Sequence, residues 1–425
     1  MSAPTWFYAR FHDHLLLLLV LCRHDPDGAG FSAAILSHCS VSAVQCARQA
    51  FARPDQGLGY LIQCLHAGIL IGFAHIVSRS ALVSKSKWET VQTIAKPLAA
   101  LDVGSNTIHL VVARISHDGT EVDYIADELE LVRLGADVSA SGRIGPVRMQ
   151  RAITAIQSQI ETAHAHHAET ILGIATEGVR AAANGSELIE RVWAETGLCI
   201  QLVTGEQEAA LTYWGGTSGL RAISARRAVL DLGGGSLELV VGSKSRIDWR
   251  ISLALGAGTL HSQHAVSDPM TSRELESVQR SVREAFASLA PPLPVKEVVV
   301  CGGTATTLAA LAGRVLHNVH PTAHPRDTIT ADGVRRIRYL TRERMAWLQS
   351  LIQAQPSTDL ARRYLIDVDR AGLLGTGTAI LIAAMDVLGA ESLRIRKRGI
   401  REGALLAYTH LGEHWLEYAG QGRGW

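Results

Sequence analysis

Two short stretches carry residue types suited to holding phosphate. Asp102-Val103-Gly104-Ser105-Asn106 and Asp231-Leu232-Gly233-Gly234-Gly235-Ser236 each end an apolar run on an aspartate, then turn through glycine and small polar residues. A phosphate chain packs negative charge densely, so its site needs a cation and N–H donors that can come close. Glycine permits that approach because it lacks a Cβ and tolerates positive φ. A carboxylate fixed at a strand end can hold Mg2+, directly or through water. One such loop could be an ordinary β-turn. Two copies in the same strand context point instead to a phosphate chain and its metal gripped between two domains. No G-x-x-x-x-G-K-[ST] segment occurs, so the P-loop arrangement is excluded.

The elements that must position these loops read as alternating strand and helix. Pro97 to Leu101 runs into Asp102, and Ile108 to Ile115 leaves the turn as a second strand. Asp118-Gly119 marks a further turn before Glu121 to Leu134. Met149, Ile153, Ile156 and Ile160 recur at helix spacing in a stretch from about Pro146. Ile171 to Ala175 and Cys199 to Val203 read as strands, with a helix through Leu188 to Glu195 between them. The opening then repeats: Ala228 to Asp231 enters the second loop, and Leu237 to Val241 leaves it. A third version runs from Val298-Val299-Val300 into Gly302-Gly303-Thr304 and a helix from about Ala305. Helices are expected near 272–289, 341–354 and 373–388. This repetition predicts two related α/β domains facing each other, with a boundary between Ser218 and Arg226.

At 425 residues the chain is long enough for two or three domains. It is 47% hydrophobic and 19% charged, and 41 basic residues balance 40 acidic ones. A net charge of +1 gives no reason to expect a nucleic-acid coat or a membrane-surface protein. Cys22, Cys39, Cys46, Cys64, Cys199 and Cys301 form no C-x-x-C pair and no zinc-like set, so they read as thiols of a cytoplasmic protein. Residues 1–95 lack the later periodicity and read as an extension outside the fold. Leu15 to Leu21 loosely resembles a signal-peptide core, and the uncharged stretch Leu58 to Val77 could reach across a bilayer, although Gln63, His66 and His75 weaken it. The domain plan is therefore 1–95 extension, 96–222 first domain, 223–412 second domain and 413–425 tail.

The ordered motifs resemble those of the actin-like (ribonuclease-H-like) superfamily, and within it the Ppx/GppA family of exopolyphosphatases and guanosine pentaphosphatases. Asp102 to Leu110 is similar to the family's opening D-x-G-S-N segment, and Ala175 to Asn184 to its A-T-x-x-x-R-x-A-x-N segment. Val203 to Ala209, Leu230 to Leu239, Leu253 to Gly256, Cys301 to Thr304 and Gly399 to Gly403 follow in order. The resemblance spans about 98–410. It implies a two-domain actin-like fold with a phosphate cleft. It implies that Glu208 is the base activating water, that Asp231, Glu238 and Asp102 serve Mg2+ or another divalent cation, and that Arg180 joins Gly104, Ser105, Asn106, Gly233, Gly234, Gly235 and Ser236 in contacting phosphate. Locally, Thr204 and Gln207 can form a capping box that puts Glu208 in the first turn of a helix.

The implied activity is metal-dependent release of terminal orthophosphate from inorganic polyphosphate. The alternatives are removal of the 5′-phosphate of guanosine pentaphosphate, the nucleotide of the stringent response, or a non-catalytic regulator that binds either ligand. An actin-like kinase is disfavoured because no acceptor site can be named. No nucleic-acid partner and no membrane are expected, and a homodimer is an open option. This chain departs from the pattern in reading Gln207-Glu208 where an acidic pair is usual, and Ala210 where many relatives carry Arg. Glu177 is a second acidic residue that could share the role of Glu208. The chain also has no room for the extra helical region of longer relatives. Arg394, Arg396, Lys397 and Arg398 form a basic run that is either a solvated face or a polyphosphate track. His164, His166 and His167 read as surface helix.

Overall fold

The computed structural model describes residues 96–116, 121–315, 327–329 and 335–422. The expectations for 1–95 and for the Asp118-Gly119 turn lie outside the described residues. The chain divides after Gln92, and the unit Thr93–Trp425 holds everything below.

Its first half forms β1 (Leu98–Val103), β2 (Thr107–Ile115), β3 (Val122–Leu131), α1 (Leu134–Ser141), α2 (Pro146–Ala165), β4 (Thr170–Ala175), α3 (Glu177–Arg180), α4 (Gly185–Thr196), β5 (Ile200–Leu202) and α5 (Gly205–Thr217). The second half forms β6 (Arg227–Leu232), β7 (Leu237–Ser243), β8 (Arg246–Leu253), α6 (Ala257–His264), α7 (Ser272–Phe286), β9 (Glu297–Cys301) and α8 (Gly303–Val315). A small ribbon of β10 (Thr328–Ile329) and β11 (Arg335–Arg336) follows. Then come β12 (Tyr339–Thr341), α9 (Arg342–Gln353), α10 (Ser357–Tyr364), α11 (Val368–Leu388), β13 (Ser392–Ile395), α12 (Ile400–Leu411) and α13 (Trp415–Gln421). The strands and helices expected from the sequence lie at these positions.

The strands make two sheets on one plan. The first runs β3-β2-β1-β4-β5, and the second, counted from its far edge, runs β8-β7-β6-β9-β13 with β12 added outside. In each, the glycine-loop hairpin is antiparallel, and the next two strands join it in parallel. Strand periodicity then sorts side chains into layers. On β1, Ala99, Leu101 and Val103 face Met149, Ile153, Leu188 and Val192 of α2 and α4, whereas Ala100 faces the opposite layer. On β6, Ala228 and Leu230 pack with α7, α8 and α11, whereas Val229 joins that same opposite layer. The shared layer is built on α5 and α12, which occupy matching places after β5 and β13.

The two central helices cross almost backbone to backbone. A side chain on Gly215 would collide with the carbonyl of Gly399, and one on Gly403 with the carbonyl of Leu211. Of the tail, 413–425, residues 413–422 are described. In the described part, α13 sends Trp415 and Ala419 into the central layer because its apolar residues recur at helix spacing. The basic run is tied down as well. Arg394 bonds Glu297 at 2.8 Å, Arg396 donates to the Ser218 carbonyl at 2.6 Å, and Arg398 bonds the Ser218 hydroxyl at 3.2 Å. His164, His166 and His167 are exposed. α11 is apolar and long enough to cross a membrane, but it is largely buried beneath the second sheet as a core helix.

The helix crossing makes a contrast that can be measured. Gly403→Leu should lower stability by about 3 kcal/mol or more, since neither helix can yield without moving a sheet. Gly142→Ala places a side chain at φ 72 in open space and should cost only about 1–2 kcal/mol. Chemical denaturation of the two variants beside the parent checks this, and equal losses would contradict the tight crossing.

Candidate active site

The two glycine loops meet. A side chain on Gly234 would strike the Asn106 amide, and one on Gly235 would lie 2.5 Å from the Ser105 hydroxyl. Each loop turns its carbonyls onto the segment that follows its hairpin. In the first, Gly135 donates to the Ser105 carbonyl at 2.7 Å, while Val132 and Arg133 donate to the Asn106 carbonyl at 2.9 Å. In the second, Ala257, Gly258 and Gly256 donate to the carbonyls of Gly233, Gly234 and Gly235 at 3.0, 2.9 and 3.1 Å. With carbonyls held back, the loops can offer N–H groups to an anion. Ser236 is buried, and Gly104 and Gly233 begin the two turns with their amides on Thr107 and Ser236 carbonyls.

Behind the loops lie the acids. Asp231 stands directly opposite Glu238 across β6 and β7, a like-charge pairing that costs stability by itself. Asp102 occupies the equivalent place on β1, where its cross-strand partner is His109. Glu208 projects from the first turn of α5, whose capping box forms as expected: Gln207 N–H donates to Thr204 Oγ1 at 3.2 Å, and Thr204 N–H to Gln207 Oε1 at 2.8 Å. Thr212 lies one helical turn on, on the same face, and its hydroxyl donates to Asp231 at 3.3 Å. Ser252 of β8 donates to Glu238 at 2.7 Å.

Burial dominates the electrostatics of this group. It pushes Asp102 up to about 7, against the pull of Arg401 and with help from Asp231. It pushes Asp231 up to about 6, opposed by the Thr212 hydroxyl and Arg401. Glu238 rises to about 8 through burial and the neighbouring Asp231. Glu208 rises well above the ordinary carboxylate range, first through burial and then through Glu238, while Arg180 draws it back. Burial lowers the pKa of His109, opposed by its hydrogen bond with Asp127 at 2.5 Å. Four carboxyls crowded out of water in this way call for a positive charge.

Arg180 is not free to meet an anion as it stands. It bonds Glu177 at 2.6 Å, Glu208 at 3.2 Å and the Val203 carbonyl at 2.6 Å. Glu177 therefore faces Arg180 and the Gly235 edge of the second loop.

Some participants carried no signal in the sequence. Arg401 and Glu402 enter from the start of α12: Arg401 reaches Asp127 at 3.4 Å, and Glu402 accepts from Tyr124 at 3.0 Å. Both lay inside the Gly399 to Gly403 motif, but nothing local gave them a role. Gly178 and Gly256 are also essential to the geometry, since a side chain at either would strike the backbone of Ser105 or Gly234.

For a divalent cation the chemistry of the donors fits. They are hard oxygens, and Oδ1 of Asp102 is buried without a hydrogen-bond partner. Among the described residues no three side chains form a ready metal cage.

The sequence model of the Ppx/GppA phosphatase family matches residues 111–411. The chain belongs to the Ppx/GppA phosphatase family. Exopolyphosphatase 1 of Mycobacterium tuberculosis is 29% identical over 320 residues, covering 73% of this chain and 87% of that protein. The guanosine-5′-triphosphate,3′-diphosphate pyrophosphatase of Vibrio atlanticus is 27% identical over 326 residues, covering 76% of this chain and 61% of that protein. The crystal structure of the Aquifex aeolicus Ppx/GppA family member superposes with a TM-score of 0.61 at 27% identity, covering 74% of this chain and 98% of that one. The two-sheet plan is thus the family fold.

Each raised carboxyl ionises less readily in the folded chain than in the unfolded one. The stability these groups carry is therefore present in acid and is lost as pH rises through about 6, about 7 and about 8 for Asp231, Asp102 and Glu238. In chelator, the melting temperature should fall across that range. Mg2+ should restore more of it at the alkaline end, because a cation binds the ionised forms. Calorimetry across that pH range with and without Mg2+ reads both slopes, and a melting temperature rising with pH in chelator would refute the assignment.

Proposed function

We propose that this chain is a metal-dependent phosphoanhydride hydrolase that releases terminal orthophosphate from inorganic polyphosphate. The observation that carries the reading is Glu208, a buried carboxylate in the first turn of a capped helix, bonded to Arg180 and close enough to Glu238, Asp102 and Asp231 to feel their charge. Such a group suits a general base, because the surroundings that raise its pKa also strengthen its hold on a proton.

In this reading, loop N–H groups and Arg180 bind the terminal phosphates. Arg180 exchanges part of its contact with Glu177 for phosphate oxygens as substrate enters. Glu208 orients a water and takes its proton as the water oxygen bonds the terminal phosphorus. The anhydride P–O bond breaks, and the shortened chain leaves with the bridging oxygen. Mg2+ at Asp231, Glu238 and Asp102 would supply the charge neutralisation that lets the polyanion approach. Little covalent work is needed from the protein beyond positioning and electrostatics.

Relatives named for each substrate stand at similar identity to this chain, 29% for the mycobacterial exopolyphosphatase and 27% for the Vibrio enzyme, so both substrates enter the test. Orthophosphate release from each substrate, with Mg2+ and with chelator, separates the two. Glu208→Gln should lower kcat by about 10²–10⁴-fold with little change in KM. Undiminished release by that variant would remove Glu208 from the role of base, and binding without turnover by the parent would make the protein a regulator.

A further inference from the structure

The chain carries Gln207 beside the proposed base, where an acidic residue is usual, and the fold gives that amide a second task. Its oxygen closes the capping box on Thr204 N–H, while its Nε2 donates to the Leu416 carbonyl of α13 at 3.1 Å. Gly420 of α13 lies beside the same amide: a methyl group there would sit 3.7 Å from Nε2 of Gln207, an ordinary contact. Arg250 of β8 grips the other end of the same helix. It donates to the Ala419 carbonyl at 2.7 Å and to the Gly420 carbonyl at 2.5 Å, and it bonds Glu206 of α5 at 2.9 Å. Two residues along β8, on the same face, Ser252 bonds Glu238 and leaves room only for a glycine at position 205.

These contacts join end to end. α13 is held by Gln207 and Arg250; those two hold Glu206 and the capping turn; that turn presents Glu208; and Ser252 fixes its neighbour Glu238. We infer that α13 is a clamp on the base-bearing turn, and that Gln207 is the positioning residue through which it acts. Only an amide can serve here. A glutamate at 207 keeps the capping acceptor and suits a helix start, but it offers no proton to Leu416 and sets a negative oxygen against a carbonyl. The inference rests on Glu208 as the base.

The test uses the full chain with Mg2+ and polyphosphate. Gln207→Glu and, from the other side, Arg250→Met are compared with the parent by steady-state kinetics and by hydrogen exchange of the α13 amides. Both should speed exchange in α13. Both should lower kcat on the order of ten- to a hundredfold with KM changed less than about twofold, since displacement of the base spoils the attack rather than binding. The double variant should lose little more than either single one. Unchanged exchange in α13, or faster exchange with kcat retained, overturns the proposal. Full activity of Glu208→Gln would instead overturn the base assignment, and the exchange data would still stand on their own.

Discussion

Everything in this fold hangs on how closely α5 and α12 approach. Each follows the last parallel strand of its own sheet, and their crossing at Gly215 and Gly403 brings backbone against backbone. That contact fixes the spacing of the two sheets. The spacing in turn lets Asn106 approach Gly234 and Ser105 approach Gly235, so that two copies of a strand-turn-strand unit meet at their loops. A side chain at the crossing would push the helices apart, and with them the sheets and the loops they carry.

The same approach creates the electrostatic problem that chemistry can use. Bringing the strand ends together buries Asp102, Asp231, Glu238 and Glu208 within reach of one another, with Arg180 on one side and Arg401 on the other. Buried charges of one sign are costly, and the Asp102 oxygen left without a partner adds to that cost. Three extensive apolar clusters offset that cost, and in the proposed reaction a cation with its phosphate chain would relieve it.

Much of the fold was legible in the chain because its signals are local. Alternating apolar residues gave the strands of both sheets, and glycine with small polar residues gave the loops. Thr204 and Gln207 gave the start of α5 through contacts three residues apart. The packing of Trp415 and Ala419 was not legible, because the layer that receives them is assembled from distant segments. Arg180 was expected on phosphate, but whether its guanidinium faces an anion or two carboxylates depends on Glu177 and Glu208 arriving together, 31 positions apart in the numbering.

The sequence by itself determined the repeated strand-loop plan, the residue types at the phosphate loops and the family. Those follow from short-range periodicity and from which residues can turn tightly. The tertiary structure alone decided that Arg180 bonds both Glu177 and Glu208, that Thr212 and Ser252 bond Asp231 and Glu238, and that α13 bonds Gln207 and Arg250. Burial and charge are properties of what surrounds a group, and those surroundings are drawn from segments the sequence keeps far apart.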